Sequence, residues 1–355
     1  MASVDLDQVL LHAHNLRASD VFFKDGSPPI IRLHGKITRT EYPVLHGEEI
    51  RQLAYTLLTP GQIQRFEQRR EMDLGFSRSF ARFRGNIYMQ KGTVGMVVRL
   101  IPTKMPGLEE LGMPPVLKQL PCQKQGLVLV TGPTGSGKTT TLAAMLNLIN
   151  ETMAKNVVTI EDPIEFVHQD KMGIVNQREV GLDTESFQAG LKYVLRQAPD
   201  VILIGELRDV ETFSICLQAA ETGHLVFSTV HTASAYETMD RIINMFPPHD
   251  KAQICMRLST SLRGIVSQKL VPRSDGKGRV AGVEVLINTP TIAKLIEEGR
   301  FGGIYQLLTE GEYWGMQTMN QCLLRYYRAN LISEEDALTF AGNSTELRQM
   351  MRRPS

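Results

Sequence analysis

Residues 126–149 read GLVLVTGPTGSGKTTTLAAMLNLI, and this stretch decides the fold. An apolar run comes first, a glycine-rich segment follows, and an apolar stretch with helical spacing ends it. The segment GPTGSGKT fits the pattern G-x-x-x-x-G-K-[ST], placed between a strand and a helix as this motif requires. A glycine-rich turn in an ordinary βα unit is the alternative, but the complete and correctly flanked motif favours a phosphate-binding loop.

The residue types in this loop suit a nucleoside triphosphate. Glycines let backbone N–H groups face anionic oxygens, and the start of the helix adds partial positive charge. Lys138 supplies a cation for the β- and γ-phosphates, and Thr139 supplies a hydroxyl that can bind Mg²⁺. The predicted nucleotide-binding residues are Gly132, Pro133, Thr134, Gly135, Ser136, Gly137, Lys138, Thr139 and Thr140.

A Pro- and Gly-rich stretch at 102–115 separates two regions of different pattern, and we interpret it as a linker. After it, short apolar runs without polar alternation are interspersed with helical stretches, which is typical of a parallel sheet covered on both faces. These runs are residues 127–130, 157–160, Val201–Ile204 and Leu225–Val230. Before it, short helical and strand-like segments are mixed. The predicted domains are therefore a small α+β domain at 1–101 and an α/β domain at 116–355.

Length and composition fit a folded chain of two domains. The 355 residues are 42% hydrophobic and 22% charged, and domains average about 150 residues. Because 39 basic residues oppose 38 acidic ones, no basic field indicates nucleic acid or an anionic membrane. The four cysteines form no CxxC pair, which excludes a zinc ribbon and argues against a disulfide framework.

We expect a cytoplasmic protein. The first residues, MASVDLDQ, are acidic and contain no apolar signal segment. The most apolar runs are far shorter than the roughly 20 residues that a membrane-spanning helix needs.

Acidic residues follow two of the predicted strands, at the sheet edge where ligands collect in open parallel sheets. One cluster is TIEDPIE, which ends at Glu165, and the other is GELRD, which contains Glu206. A lone carboxylate is more often a surface charge or a helix cap. Two clusters behind a phosphate-binding loop favour the metal contact and water activation that hydrolysis requires.

Two histidines flank one predicted strand. His224 and His231 are seven residues apart, so they can serve different surfaces or opposite ends of the strand. Each is either a structural histidine or a γ-phosphate sensor, and the pattern leaves both interpretations open.

Residues 74–108 contain no Asp or Glu but several basic residues: Arg78, Arg82, Arg84, Lys91, Arg99 and Lys104. Three interpretations stay open. The run is a solvated hairpin face, a nucleic-acid surface with stacking aromatic residues, or a source of arginines that reach a neighbouring subunit's nucleotide in trans. The near-neutral total charge weighs against nucleic acid.

Together these motifs resemble the type IV pilus retraction ATPases, the PilT/PilU branch of the secretion-type traffic ATPases, over nearly the whole chain. The matching motifs are ASD at 18–20, GSPP at 26–29, RLHG at 32–35, RFR at 82–84, the phosphate-binding loop, TIEDPIE, GELRD, ETGH at 221–224, TVHT at 229–232 and GMQT at 315–318. The resemblance implies a PAS-like N-terminal domain and a RecA-like motor domain in a homo-hexameric ring. ATP hydrolysis with Mg²⁺ would drive pilus retraction and twitching motility.

The resemblance also implies partners and roles. The ring would lie at the cytoplasmic face of the inner membrane, peripheral to it. Its partners would be a platform protein and a paralogous retraction ATPase, and it would bind no nucleic acid.

The resemblance assigns water activation to Glu165 rather than Glu161, and it assigns Mg²⁺ binding to Thr139 and Glu206. The implied catalytic residues are Glu165, Glu206, His224 and His231. The implied trans arginines are Arg82, Arg84 and Arg99, with Arg99 ranked lowest.

The assembly-type relatives are longer and carry a tetra-cysteine zinc insert. This chain has neither feature, which favours the retraction branch over the assembly branch. Residues 178–184, 195–200 and 288–290 look closer to PilU than to PilT, and residues 301–314 depart from the PilT pattern. Our main hypothesis is an autonomous retraction motor. The alternatives are an accessory ATP-binding ring subunit that supports a partner motor and, less favoured, a DNA translocase.

Overall fold

The computed structural model describes residues 4–33, 35–101 and 105–353, and the chain divides into two compact units. Residues 165–167 group with the N-terminal unit, whose continuous part ends at 104. All other residues from 105 onward form the second unit. Residues 102–104 of the predicted linker, and with them Lys104 of the basic run, lie outside the described residues.

The described part of the N-terminal unit is an antiparallel sheet with three helices. The helices are α1 (Leu6–Asn15), α2 (Gly47–Tyr55) and α3 (Pro60–Arg69). The strands are β1 (Asp20–Phe23), β2 (Ile30–Leu33), β3 (Lys36–Arg39), β4 (Glu71–Arg78), β5 (Ala81–Gln90) and β6 (Thr93–Ile101). Their order is β3-β2-β1-β6-β5-β4. This mixture of helices and strands agrees with the predicted α+β class.

Alternation along β5 decides which side chains of this unit reach its core. Phe83 and Ile87 are fully buried, in one cluster with Ile50 of α2. Arg82 and Arg84 lie at the alternate positions and are half-buried, because successive side chains of a strand point to opposite faces. Arg82 and Arg84 therefore share the face opposite the core.

The described part of the second unit contains seven strands and ten α-helices. The strands are β7 (Gly126–Thr131), β8 (Asn156–Glu161), β9 (Ile174–Glu179), β10 (Val201–Ile204), β11 (Leu225–Val230), β12 (Leu262–Pro272) and β13 (Arg279–Ile287). The helices are α4 (Lys138–Thr152), α5 (Phe187–Val194), α6 (Val210–Glu221), α7 (Ala235–Asn244), α8 (Lys251–Ser261), α9 (Pro290–Glu297), α10 (Ile304–Glu310), α11 (Met319–Arg328), α12 (Glu334–Phe340) and α13 (Ser344–Arg352). No helix of the described ranges combines the length and apolar character of a membrane span.

The seven strands form one sheet in the order β13-β12-β7-β11-β10-β8-β9. All neighbours pair in parallel except β12 and β13, which are antiparallel. The parallel sheet that the apolar runs predict is therefore confirmed. The carboxyl ends of β7, β10 and β11 meet at the same edge of the sheet.

Helices cover both faces of this sheet, which explains why its central strands are apolar throughout. Leu127 and Leu129 join one buried cluster, which includes Phe213 of α6. Val128 joins the cluster on the other face, which includes Met145 of α4. Every residue of β7 is buried, as expected for a strand covered on both sides.

Candidate nucleotide site

The phosphate-binding loop joins β7 to α4, and β12 packs against it. Gly132 and Gly137 have φ values of 143° and 89°, in the region that favours glycine. A Cβ atom on Gly132 would lie 2.2 Å from the main-chain oxygen of Gln268 on β12. Gly137 is the N-cap residue of α4. The strand, loop and helix lie where the sequence predicts them.

We expect Gly132→Ala to weaken ATP binding by about 5- to 160-fold, since overpacking of this kind costs about 1–3 kcal/mol. The methyl group would force β12 or the loop to move. Titration with a fluorescent ATP analogue, with the melting temperature measured alongside, checks this. Gly135→Ala is the matched control, because φ is 78° there but a Cβ would meet no atom within 4 Å. Equal affinities of the two variants would contradict the steric explanation.

Polar side chains converge inside the loop. Lys138 is 8% exposed, and its Nζ donates hydrogen bonds to the carbonyl oxygens of Gly132 and Pro133 at 2.8 and 3.0 Å. The Ser136 hydroxyl is buried without a hydrogen-bond partner among the described residues. Buried polar groups normally have partners, so this donor suits an anionic oxygen of a ligand.

A carboxylate and a histidine meet at the carboxyl edge of the sheet. Glu206 follows β10, His231 follows β11, and His231 Nε2 lies 3.2 Å from Glu206 Oε1. Arg208 Nε donates to Glu206 Oε2 at 2.8 Å. Burial by itself raises the pKa of Glu206, but the hydrogen bond and charge of Arg208, with a contribution from His231, bring that pKa below its ordinary value. The carboxylate is therefore charged at neutral pH.

Hydrogen bonds between β10 and β11 hold the Glu206 segment in place. Thr229 Oγ1 donates to the Gly205 carbonyl at 2.6 Å, and the Leu207 amide donates to the Thr229 carbonyl at 3.0 Å. Asp209, the other acidic residue of GELRD, is the N-cap of α6 and accepts the amide of Thr212. Glu206 thus faces the site, whereas Asp209 caps a helix.

The acidic cluster after β8 holds two glutamates in different surroundings. Glu161 is 6% exposed, and its Oε1 accepts hydrogen bonds from Thr159 Oγ1 at 2.6 Å and Gln177 Nε2 at 3.0 Å. Glu165 is exposed to solvent. Hydrogen bonds therefore hold the Glu161 carboxylate in the interior, whereas the Glu165 carboxylate is accessible to water.

The two histidines lie at opposite ends of β11. His224 precedes the strand, and its Nδ1 lies 3.1 Å from the Ala219 carbonyl oxygen. Because the six residues of β11 span roughly 20 Å, His224 is at the edge of the sheet away from the phosphate-binding loop. Within one subunit the structure brings His231 to the site and not His224, whose catalytic role stays a prediction.

The predicted trans arginines differ in their local partners. Arg84 and Arg99 are cross-strand neighbours in the β5–β6 pair. Arg99 Nε donates to Asp20 Oδ1 at 2.9 Å, and Arg32 Nε donates to Asp20 Oδ2 at 3.1 Å. Burial by itself raises the pKa of Asp20, but its hydrogen bonds from Arg99 and Ser19 bring it below the ordinary value. Arg99 is thus held by a buried carboxylate of its own domain.

A cavity of about 450 Å³ lies beside the phosphate-binding loop. Among the residues that line it are Thr140 of α4, Gln268, Arg273 and Arg279 of the β12–β13 hairpin, and Tyr326 of α11. Its volume lies in the range of small-molecule sites. Sequence reasoning missed the hairpin and α11 residues, because they belong to no motif and lie far from the loop in the chain.

The donor set at this edge fits Mg²⁺ bound together with a nucleotide. Within residues 4–33, 35–101 and 105–353 no cluster of three or more His, Cys, Asp or Glu side chains could hold a metal ion alone. Thr139, in the first turn of α4, and Glu206 supply oxygen donors. Mg²⁺ prefers oxygen ligands and commonly takes one or two from protein and the rest from phosphates and water.

A phosphate-binding loop, a carboxylate after a neighbouring strand and a parallel sheet covered by helices define a P-loop nucleotide-binding protein of the α/β class. The profile of the family described as "Type II/IV secretion system protein" matches residues 4–334. The type IV pilus retraction ATPase PilT of Pseudomonas aeruginosa is 45% identical over 335 residues, which cover 94% of this chain and 97% of that protein. The type IV pilus ATPase PilU of the same organism is 43% identical over 335 residues, which cover 94% of this chain and 88% of that protein.

A crystal structure of the pilus retraction motor PilT with bound ADP is also similar. Its TM-score is 0.92 at 42% sequence identity, and the match covers 98% of this chain and 100% of that one. This chain therefore belongs to the Type II/IV secretion system protein family, as an ATPase of its PilT/PilU pilus retraction branch. The predicted RecA-like fold class and the resemblance are confirmed. Because the identities to PilT and PilU are 45% and 43%, the accessory-subunit alternative stays a prediction.

Proposed function

We propose that this chain is the ATP-hydrolysing subunit of a homo-hexameric ring that powers type IV pilus retraction and so twitching motility. The observation that carries the proposal is the Glu206–His231 pair, whose nearest atoms are 3.2 Å apart. The pair lies at the carboxyl edge of the sheet, where the phosphate-binding loop with its buried Lys138 also lies. This edge combines a phosphate site, a charged carboxylate and a histidine positioned to respond to the γ-phosphate. Hydrolysis at the β–γ bond requires the phosphate site and the metal-binding carboxylate, and the histidine would respond to the γ-phosphate.

The roles within the site follow from burial and contacts. Lys138 and the loop N–H groups bind the β- and γ-phosphate oxygens, and the Ser136 hydroxyl donates to one of them. Glu165 accepts the proton of the attacking water, because it is exposed while Glu161 is held by Thr159 and Gln177. Thr139 and Glu206 would hold Mg²⁺, which spreads the negative charge of the phosphates.

The nucleoside would occupy the cavity beside the loop. Tyr326 offers a ring, while its hydroxyl donates to the Ala281 carbonyl at 2.9 Å. Arg279 offers a planar cation that suits stacking on a base or hydrogen bonding to ribose, whereas Arg273 is held by both carboxylate oxygens of Asp275. The position of the cavity next to Thr140 at the start of α4 makes it continuous with the phosphate site.

Arg82 and Arg84 would supply positive charge to the nucleotide of a neighbouring subunit. Both lie on the face of β5 that points away from its domain's core, as a residue that acts across an interface requires. Arg99 is the weakest candidate because Asp20 holds its guanidinium.

The ring would act at the cytoplasmic face of the inner membrane, on a platform protein of the pilus machine. A paralogous retraction ATPase would be a second partner, and nucleic acid would not be one. The names of the relatives, a pilus retraction ATPase and a pilus ATPase, support a role in a pilus machine.

Steady-state ATPase of the purified chain across protein concentration tests the motor proposal. We expect turnover per subunit to rise as rings assemble, because each site needs a neighbour. Negligible turnover at every concentration, with ATP still bound, would favour the accessory-subunit alternative.

A mixing experiment tests the shared site. Lys138→Ala subunits and Arg82→Ala/Arg84→Ala subunits should each be inactive alone. Random rings of a 1:1 mixture should recover about a quarter of wild-type turnover, because about a quarter of interfaces then combine an intact loop with intact arginines. No recovery at any ratio would contradict arginine donation in trans.

A further inference from the structure

Glu284 is a buried carboxylate for which hydrolysis chemistry gives no role. It lies on β13, opposite Ser267 of β12, and is 5% exposed. Burial raises the pKa of Glu284, and the hydrogen bond from the Ala235 amide opposes this effect. A buried carboxylate is costly unless such a donor satisfies it, so its position is tied to this amide.

This contact leads to the catalytic edge. The Ala235 amide, at the first residue of α7, donates to Glu284 Oε1 at 2.8 Å. Only three residues separate Ala235 from His231, and Arg241 of the same helix donates to the His231 carbonyl at 3.0 Å. Both ends of α7 therefore hold the turn that carries His231, whose ring contacts Glu206.

Further bonds make this turn rigid. Thr232 and Thr238 hydroxyls lie 2.7 Å apart, and Glu237 Oε2 accepts the Ala233 amide at 2.9 Å. Each of these contacts is internal to the segment from the turn into α7. Glu284 comes from another part of the sheet, so its bond anchors the segment to β13.

The C-terminal helices have contacts of their own. Helices α11–α13 pack in one apolar cluster that includes Met319, Leu323 and Leu347. Lys269, on the adjacent strand β12, donates to the carbonyl of Phe340, the last residue of α12, at 3.0 Å. A variant among these helices can therefore serve as a control.

We propose that Glu284 is a positioning residue for ATP hydrolysis, which holds the His231 turn in register with Glu206. This inference rests on the proposed role of His231 at the γ-phosphate. Without this anchor, the start of α7 and the His231 turn would shift relative to Glu206.

The test compares two variants of Glu284 in the full chain. Glu284→Ala removes both hydrogen-bond acceptors, and we expect kcat to fall by about 10- to 100-fold, the cost of a small misplacement of a catalytic group. The affinity for ATP should change less than about twofold, since the phosphate-binding loop is untouched. Glu284→Gln keeps the size and one acceptor, and its kcat should lie between those of Glu284→Ala and the wild type.

Asn320→Ala is the matched control. Asn320 is a buried polar residue of α11 that holds Gly342 and Asn343 by hydrogen bonds, so its loss loosens helices α11–α13 without touching α7. We expect it to lower the melting temperature yet keep kcat within about twofold of wild type. Hydrogen exchange in residues 233–238 should speed up in Glu284→Ala only. Equal losses of kcat in Asn320→Ala and Glu284→Ala would overturn the inference.

A double-mutant cycle with His231→Ala separates the two hypotheses. If Glu284 acts through His231, Glu284→Ala should reduce kcat little further in the His231→Ala background. Full additivity, with His231→Ala itself impaired, would overturn the role of Glu284 and leave that of His231 standing. An unchanged kcat in His231→Ala would overturn the proposed role of His231 and the inference with it.

Discussion

Lys138→Ala should abolish ATP hydrolysis, with kcat/KM reduced by at least about 10²- to 10³-fold, the cost of removing one preorganised donor. The ammonium of Lys138 is buried inside the loop, on the carbonyl oxygens of Gly132 and Pro133. It is thus placed to neutralise the phosphates with little competition from water. Steady-state phosphate release, with circular dichroism to verify folding, measures the effect.

Lys138→Arg is the informative control. It keeps the charge, but the larger planar guanidinium does not fit the space that a slender buried ammonium occupies. We expect it to be impaired almost as severely. Retention of wild-type turnover by Lys138→Ala would refute the assignment of this loop as the phosphate site.

Glu165→Gln should bind ATP with unchanged affinity and hydrolyse it about 10²- to 10⁴-fold more slowly, the usual contribution of a general base. The amide keeps the size of the side chain but cannot accept the proton of water. Single-turnover hydrolysis, compared with equilibrium ATP binding, separates the two steps.

Glu161→Gln is the matched variant for this measurement. Its carboxylate accepts hydrogen bonds from Thr159 and Gln177 in the interior, so we expect a lower melting temperature with a smaller loss of kcat. The opposite ranking, with Glu165→Gln active and Glu161→Gln inactive, would move the base to Glu161.

Apolar strands and the phosphate-binding loop made the centre of the second unit predictable. The bounds of β10 and β11 agree with the sequence patterns because burial on both sheet faces leaves an unmistakable apolar run. The sequence did not indicate β12, because Ser267, Gln268 and Lys269 interrupt its apolar pattern. These polar side chains are tolerated through bonds that only the folded sheet creates, such as Thr131 Oγ1 to Ser267 Oγ at 2.9 Å.

The candidate site was predictable where a motif defines it and not where partners come from distant segments. The motifs located Glu206 and His231 but not their contact, which depends on β10 and β11 being adjacent. Nor do they indicate that Asp20 binds Arg99, 79 residues further along. Charge and spacing alone left Arg99 equivalent to the other arginines of its run.

The packing of β12 against the phosphate-binding loop restricts which sequences this fold accepts. Gly132 and Gln268 lie 136 residues apart, yet the main chain of one occupies the space that any side chain on the other would need. Every increase in bulk at position 132 must therefore be matched by a retreat of β12, which would pull the hairpin away from the nucleoside cavity. The loop at Gly132 and strand β12 therefore constrain each other. A relative with a larger residue at position 132 must also have a changed position of β12.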